Sequence, residues 1–266
     1  MANAPALGPR HHEVKQLRAL LRDPAARRAA GALVLEGPRL VADALRRGAP
    51  LTAVYLGPHA ERAFAGLVAD ARAAGVRIAS LKEGVLEKVG TTRTPQPVLA
   101  VAPAPDAPAL ATLVAAPGPV VVAVDVSDPG NLGTLVRSAE AAGAAGMVCC
   151  GGVDVHNPKA VRASAGAVLA VPIVTHDDPA AVLDALRDAG RRALGTAATG
   201  GTPYTEAPLD EPVALVLGSE AHGMPDAVAA RLDGTVSIPM AGATESLNVA
   251  VAGSVLLFEA ARRRLL

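Results

Sequence analysis

The sequence has almost no aromatic residues. Its 266 residues include no Trp, two Tyr and two Phe, so aromatic side chains make up 2% of the chain. This composition leaves little material for a platform on which nucleic-acid bases could stack. Any nucleic acid should therefore be recognised through its shape and its phosphates.

Cysteines and long apolar runs are also scarce. The two cysteines, Cys149 and Cys150, are adjacent within the apolar stretch MVCC, which excludes a disulfide framework and a spaced metal site. No apolar run reaches the roughly 18 residues that span a bilayer, and the N-terminal MANAPALGPRHHEVK lacks the apolar segment of a signal peptide. We therefore expect a globular, cytoplasmic protein that does not enter a membrane.

Positive and negative charges balance over the whole chain, but they are unevenly distributed along it. The formal net charge at pH 7 is zero, which argues against a strongly basic nucleic-acid-binding protein. Residues 1–106 nevertheless contain 15 Lys and Arg against 9 Asp and Glu, whereas residues 107–266 contain 10 against 16. The basic first part favours contact with a polyanion.

The chain length and a Pro- and Ala-rich stretch predict two domains. A chain of 266 residues exceeds the usual size of one hydrophobic core. The segment VAPAPDAPALATLVAAPGP, from Val101 to Pro119, separates two regions of regular apolar patterning and is typical of a connection. We predict a first domain at 1–103, a linker at 104–118 and a second domain at 119–266.

Both domains should be of the α/β class. In the first, short apolar runs alternate with helical patterns after an initial helix near Val14–Leu21. In the second, near-continuous apolar runs separated by helices predict a parallel sheet that is covered on both faces. The predicted strands of the second domain are Val120–Val124, Met147–Cys150, Ala193–Thr196, Val213–Leu217 and Val236–Ile238. Ligands bind beyond the carboxyl ends of such strands, which directs attention to the loops there.

The loop after the first of these strands runs DVSDPGNLG from Asp125 to Gly133. It lacks the GxGxxG and GxxxxGK[ST] patterns of dinucleotide and phosphate loops. Asn131 can cap the following helix, and Arg137 lies within the first turns of that helix. Both side chains could point into one cleft, or Arg137 could simply face solvent.

Two later loops also follow predicted strands. LVLGSEAHGM carries Gly218, which permits a bound molecule to approach the backbone closely, and Glu220, which on its own is an ordinary loop carboxylate. IPMAGATESLN leads into an apolar helix and carries Ser246 and Asn248, both of which are helix-capping types. Capping alone would explain one of these two residues.

Taken together, the stretches DPGNLGTLVRSAEAAG, LVLGSEAHGM and IPMAGATESLNVAVAGSVLLFE resemble the three ordered motifs of the SpoU/TrmH family of RNA ribose 2′-O-methyltransferases, within the SPOUT superfamily. HNPKAVRASAGAV is similar to the family's intermediate Asn-Pro-Lys…Arg-x-Ser stretch. LVLEGPRLVADAL and TPQPVLAV are similar to the substrate-binding domain of many members. One departure is Ala221, which stands where the second motif more often has Gly and would be strained there if that position needs a positive φ.

The resemblance implies a fold, a cofactor and a partner. The second domain would be a trefoil-knotted parallel-sheet SPOUT methyltransferase domain, and the first a smaller α/β domain like that of ribosomal protein L30e. The protein would be a homodimer, bind S-adenosyl-L-methionine and require no metal. Ordinary topological reasoning excludes a knot, so this expectation depends on the resemblance alone.

The resemblance also implies roles for residues. Those that correspond to the family's cofactor contacts are Leu217, Gly218, Ile238, Met240, Leu247 and, after the preceding strand, Thr196. Those placed around the acceptor ribose are Asn131, Arg137, Glu220, Ser246 and Asn248. Because a guanidinium has a pKa above about 12, we expect Arg137 to bind phosphate or stabilise developing charge rather than to act as a base.

The RNA target and two other functions stay open on the sequence. Large-subunit (23S) ribosomal RNA is favoured because the N-terminal domain resembles those of ribosomal-RNA enzymes, and transfer RNA is the alternative. A non-catalytic RNA-binding or ribosome-assembly protein could keep the same fold, although the retained motif residues argue against it. A dehydrogenase is disfavoured because the chain lacks GxGxxG.

Overall fold

The computed structural model of the protein describes residues 5–91 and 94–265. The predicted domain ranges 1–103 and 119–266 include residues 1–4, 92, 93 and 266, which lie outside this description. In chain order the strands are β1 (Ala32–Glu36), β2 (Ala53–Leu56), β3 (Arg77–Ser80), β4 (Val98–Pro103), β5 (Val120–Val124), β6 (Gly146–Cys150), β7 (Ile173–His176), β8 (Arg192–Ala197), β9 (Thr202–Pro203), β10 (Val213–Leu217) and β11 (Gly234–Ser237). The helices are α1 (His12–Arg22), α2 (Pro24–Ala30), α3 (Pro38–Arg46), α4 (Ala60–Ala63), α5 (Ala65–Ala73), α6 (Val85–Val89), α7 (Leu110–Ala115), α8 (Pro129–Ala141), α9 (Pro158–Ala163), α10 (Pro179–Asp188), α11 (Asp226–Ala229) and α12 (Val249–Leu265).

The chain forms two compact units, each with its own sheet. The first contains the chain as far as Pro105 together with His156–Leu169, and the second contains Asp106–Val155 and the chain from Ala170 onwards. The first unit carries 17 Lys and Arg against 8 Asp and Glu, a net charge of +9, and the second carries 8 against 17, or −9. The difference in net charge between the two folded units is therefore larger than the difference between residues 1–106 and residues 107–266.

The first unit contains a four-stranded sheet in the order β1-β4-β2-β3. Strand β4 is antiparallel to both of its neighbours, whereas β2 and β3 are parallel. Helix α1 packs into the core of this unit because its apolar side chains recur every three or four residues. The buried residues of α1 are Val14, Leu17, Leu20 and Leu21. The predicted small α/β architecture and its initial helix are confirmed.

The segment His156–Leu169 is distant in sequence from the rest of the first unit but packs within it. Its helix α9 contacts β1. At the end of β1, the buried carboxylate of Glu36 forms an ion pair with Arg162 of α9. The range 119–266, which the sequence predicts as one domain, is thus divided between the two units.

The second unit contains a fully parallel seven-stranded sheet in the order β7-β6-β5-β10-β8-β11-β9. All residues of β5, β6 and β10 are buried, as expected for strands with both faces covered. Helix α12 packs against α8 and β10, while α10 packs against α7 and α11. This confirms the predicted α/β fold with a parallel-sheet core.

Some elements differ from the sequence prediction. The predicted linker 104–118 contains α7, whose Leu113 and Val114 are buried in the core of the second unit. Strands β7 and β9 are not among the predicted strands, and residues 60–74, whose sequence pattern is typical of one helix, are divided at Phe64 into α4 and α5. Within the described residues, no helix combines the length and apolar character needed to cross a membrane.

Candidate functional site

A cavity of about 390 Å³ lies beyond the carboxyl ends of β10, β8 and β11, which are neighbours in the second sheet. The predicted cofactor-binding residues in its lining are Thr196, Gly218, Ile238, Met240 and Leu247. The predicted catalytic residues in its lining are Glu220, Ser246 and Asn248. The strand order therefore brings to one place loops that are far apart in the sequence.

Leu217 differs from the other predicted cofactor contacts. It is fully buried at the end of β10 and does not line the cavity. Its side chain lies against α12, where a Cβ added to Gly253 would be 2.8 Å from Leu217 Cδ1. The side chain of Leu217 is therefore part of the core, where it holds α12 close to the sheet.

The loop after β10 folds back tightly on itself. Ser219 and Gly223 exchange two backbone hydrogen bonds of 3.0 and 2.9 Å. A Cβ at Gly218 would lie 2.6 Å from the Gly223 carbonyl oxygen, so only glycine fits there without a shift of the backbone. The positive φ of this loop occurs at Gly223 (69°) and not at Ala221, so the strain considered for Ala221 does not arise.

Three predicted catalytic residues are joined by hydrogen bonds. Asn131 Nδ2 donates to Glu220 Oε1 (2.6 Å), and Asn248 Nδ2 donates to Asn131 Oδ1 (2.9 Å). Asn248 Oδ1 in turn accepts from the amides of Ala250 (2.9 Å) and Val251 (3.3 Å) at the start of α12. Each amide group therefore has a fixed orientation, because a carboxylate only accepts and the helix amides only donate. The network ties together the loops after β5, β10 and β11.

The structure shows which residues cap α8 and α12. Asp128, rather than Asn131, caps α8, because its Oδ1 accepts from the Asn131 amide (2.9 Å) and Pro129 follows it. The prediction that Asn131 caps this helix is wrong. Asn248 does cap α12, and it combines this role with its bond to Asn131.

Glu220 is held as a carboxylate. Burial alone would raise its pKa, but hydrogen bonds from Asn131 and from backbone amides, including that of Ser127, outweigh this and lower the pKa. The Ser127 amide and hydroxyl approach Glu220 Oε2 at 3.3 and 3.4 Å. A carboxylate with a lowered pKa is a poor proton acceptor at neutral pH and a good anchor for an amide.

Arg137 and Ser246 make no hydrogen bond or ion pair within the described part of the chain. Arg137 is exposed on α8 and does not line the cavity. Ser246 is exposed at the cavity edge, two residues before Asn248. Of the five predicted catalytic residues, the structure thus joins three directly, brings the fourth to the same cavity and leaves Arg137 free on the surface of α8.

The sequence reasoning missed several residues of the site. Further lining residues are Ala197, Ala198, Met224, Val236, Ala252 and Leu256, which read in the sequence as ordinary core or helix positions. Ser127 could have been recognised from its place directly after β5, beside Asp128 and Asn131. The walls are mainly apolar, with a few polar groups at one side, which is typical of a pocket for a small organic ligand.

Family models match both parts of the chain. Residues 118–258 match the SpoU rRNA Methylase family, and residues 11–100 match the MRM3-like substrate binding domain. A curated relative, the 23S rRNA (guanosine(2553)-2′-O)-methyltransferase RlmP of Bacillus subtilis, is 36% identical over 185 residues, which are 69% of this chain and 72% of the relative.

Solved structures resemble the whole chain. The SpoU methyltransferase AviRb from Streptomyces viridochromogenes in complex with the cofactor AdoMet superposes with a TM-score of 0.82, at 31% identity, over 96% of this chain and 99% of that one. The AdoMet-bound rRNA methyltransferase from Sinorhizobium meliloti gives a TM-score of 0.80, at 32% identity, over 96% of each chain.

Proposed function

Because the chain belongs to the SpoU rRNA methylase family, we propose that it transfers a methyl group from S-adenosyl-L-methionine to a ribose 2′-hydroxyl of RNA. The observation that carries this proposal is the hydrogen-bonded network of Glu220, Asn131 and Asn248 beside the apolar cavity at the carboxyl ends of β8, β10 and β11. The network supplies fixed polar groups, and the cavity supplies a binding site next to them.

The cavity has the chemistry needed for the cofactor. We propose that Ile238, Met240 and Leu247 contact the adenosine and that the backbone around Gly218 and Thr196 hydrogen-bonds its polar edges. This is supported by the apolar lining and by the position of the cavity at the ends of three adjacent strands. When bound, S-adenosyl-L-methionine supplies an electrophilic methyl group on a sulfonium.

The polar residues then have separate tasks. Glu220 holds the amide of Asn131, and Asn131 together with Asn248 and Ser246 orients the ribose and the loops around it. Positioning of this kind lowers the barrier because the hydroxyl oxygen must be aligned with the methyl group. The exposed guanidinium of Arg137 binds RNA phosphate or stabilises the charge that develops on the oxygen.

We propose 23S ribosomal RNA as the target. RlmP, whose name gives that RNA as its substrate, is similar to this chain over most of both proteins. Residues 11–100 of the first unit match a substrate-binding domain, and the unit carries a net charge of +9, which suits contact with a long polyanion.

The homodimer is part of the same proposal. Val251 and Phe258, which are 47% and 52% exposed, lie seven residues apart on one face of α12. Large apolar side chains exposed on one helix face support contact with a second copy of the chain.

We extend the proposal to the knot and to the L30e-like first domain. A knotted path is supported by the position of β10 between β5 and β8 and by the packing of α12 on α8 and β10. The four-stranded sheet with helices in the first unit is compatible with the ribosomal-protein-like domain.

Calorimetry with S-adenosyl-L-methionine, followed by a methyl-transfer assay on 23S rRNA, tests the proposed function. The wild type should bind the cofactor and methylate the RNA, whereas Arg137→Ala should bind the cofactor with nearly unchanged affinity and lose transfer. Arg187→Ala, which removes an exposed arginine of α10, is the matched control and should behave as the wild type. Cofactor binding without transfer by the wild type would instead favour a non-catalytic RNA-binding protein, and equal activity in Arg137→Ala would contradict the role of that residue.

A further inference from the structure

The first unit contains a cavity of about 340 Å³. Four cationic side chains line it, and we call it the basic cleft: Arg22, Arg27, Lys159 and Arg162. Arg22 and Arg27 come from α1 and α2, while Lys159 and Arg162 come from α9. The cleft thus joins the start of the chain to the segment His156–Leu169, within one unit.

The cations of the cleft differ in their access to solvent. Lys159 and Arg22 are exposed, and the side chain of Arg162 is 33% exposed. Arg27 is only 3% exposed, and its Nη1 donates to the Leu20 carbonyl oxygen, so it forms the wall of the cleft. Lys159 and Arg162 are therefore the groups of α9 that a ligand can reach.

The carboxylate of Glu36 lies beneath the cleft and fixes Arg162. Its side chain is fully buried, it is ion-paired with Arg162 Nη1, and its Oε2 accepts a hydrogen bond from the Thr91 hydroxyl (3.3 Å). Its Oε1 has no partner within the described residues. A buried carboxylate held mainly by one cation strongly disfavours the departure of that cation. Arg162 is consequently held in place with further N–H donors of its fork available to a ligand.

Charge also favours an anionic ligand here. Among the described residues, the lining of the cleft holds four cations and no carboxylate, since Glu36 lies beneath it, and the unit as a whole carries +9. A guanidinium that is held in position loses little conformational freedom when it binds a phosphate, and Arg and Lys are the usual phosphate-binding side chains.

We propose that the basic cleft binds a backbone phosphate of the substrate RNA through Lys159 and Arg162, and that Glu36 is a positioning residue for Arg162. This inference rests on the proposed function, because the bound RNA is the RNA that is methylated. Arg22 and Arg27 lie within residues 11–100, which match the substrate-binding domain, whereas Lys159 and Arg162 lie within residues 118–258, which match the methylase family. The cleft shares no lining residue with the cavity of the second unit.

The first test compares two alanine variants that remove the same charge. Lys159→Ala removes a cation of the cleft, whereas Arg62→Ala removes an exposed cation of α4. Helix α4 packs against α5, which packs against β3, and β3 is the edge strand opposite β1 in the first sheet. Affinity for 23S rRNA transcribed in vitro is measured at several salt concentrations. Lys159→Ala should weaken binding by about three- to tenfold and lower the salt slope by about one. Arg62→Ala should change both quantities much less, and equal effects of the two variants would overturn the proposal.

The second test uses Glu36→Gln, for which two explanations predict opposite signs. If the first unit attracts RNA only by its overall charge, removing a negative charge should strengthen binding. If Glu36 positions Arg162, the variant should weaken binding about threefold or more, raise the KM for RNA and leave the single-turnover rate at saturating RNA unchanged. Arg162→Lys, which keeps the charge without the fork, should show an intermediate loss.

Two controls keep these results interpretable. Thermal unfolding identifies any variant that is destabilised, and the exposed Lys159→Ala tests the cleft without disturbing the buried pair. Cofactor binding and methyl transfer by the wild type are measured separately. A wild type that binds the transcript but does not methylate it would contradict the proposed function and leave the test of the cleft intact, whereas tighter binding by Glu36→Gln would overturn the role of Glu36 alone.

Discussion

The substitution Glu220→Gln removes one hydrogen bond from the network of the site with little change in side-chain shape. Glu220 accepts from Asn131 with one oxygen and from the Ser127 amide with the other. A glutamine that keeps the bond to Ser127 presents its NH₂ group to the NH₂ group of Asn131. A 180° rotation of the Asn131 side-chain amide would not restore the bond, because it would place the NH₂ group of Asn131 against the NH₂ group of Asn248. Asn248 cannot rotate in turn, because its oxygen accepts from the amides of α12.

The expected loss follows from this geometry. A hydrogen bond to a charged group contributes about 1.5 to 3 kcal/mol, and the exposure of Glu220 argues for the lower end. About 1.4 kcal/mol corresponds to tenfold in rate, so we expect the single-turnover rate of methyl transfer to fall about tenfold. The affinity for S-adenosyl-L-methionine should change little, because the apolar walls of the cavity are untouched.

The assay is single-turnover methyl transfer to 23S rRNA at saturating cofactor, with cofactor affinity measured by calorimetry. Glu245→Gln, in an exposed position outside the network, is the matched control and should keep the wild-type rate. Since the pKa of Glu220 is lowered, its charge and its contribution to the network are present above the ordinary value of 4.5 and are lost only as the pH falls through the lowered pKa. A rate within twofold of the wild type for Glu220→Gln would refute the idea that the network orients Asn131.

Three further predictions concern stability, thiol reactivity and assembly. Arg191 donates hydrogen bonds to the carbonyl oxygens of Val114, Ala116 and Gly118. Arg191→Met should therefore lower the free energy of unfolding, measured by urea titration, by about 3 kcal/mol. A loss no larger than that of the exposed control Arg187→Met would contradict this. Burial raises the pKa of Cys149 and Cys150 to about 12, so a disulfide reagent at pH 8 should label both thiols only after unfolding, and rapid labelling of the native protein would show that the strand is accessible. Phe258→Glu should convert the proposed dimer to a monomer in light scattering, whereas an unchanged mass would exclude this face of α12 from the interface.

Local patterns predict the parallel-sheet core of the second unit but only five of its seven strands. Strands β5 and β10 are continuous apolar runs, which is the pattern of parallel strands covered on both faces. Strand β7 was missed because it is short and directly follows Pro172, and helix α7 was missed because its Pro- and Ala-rich surroundings are typical of linkers. In α7 the burial of Leu113 and Val114 by the second core outweighs this local composition.

Local sequence patterns could not predict which residues come together at the site. The position of β10 between β5 and β8 brings Glu220 next to Asn131, and no periodicity in the sequence specifies that order. Asn131 was expected to cap α8, but Asp128 stands closer to the helix start and competes successfully for the free amide. The packing of His156–Leu169 within the first unit is likewise a long-range contact.

Methylation of the ribose can be measured directly on the RNA. The protein is incubated with S-adenosyl-L-methionine carrying a labelled methyl group and with unmodified 23S rRNA, and the RNA is then digested to nucleosides and analysed by mass spectrometry. We expect a single labelled nucleoside whose methyl group lies on the 2′-oxygen. Label on a base, or no label in the RNA although the cofactor binds, would contradict it.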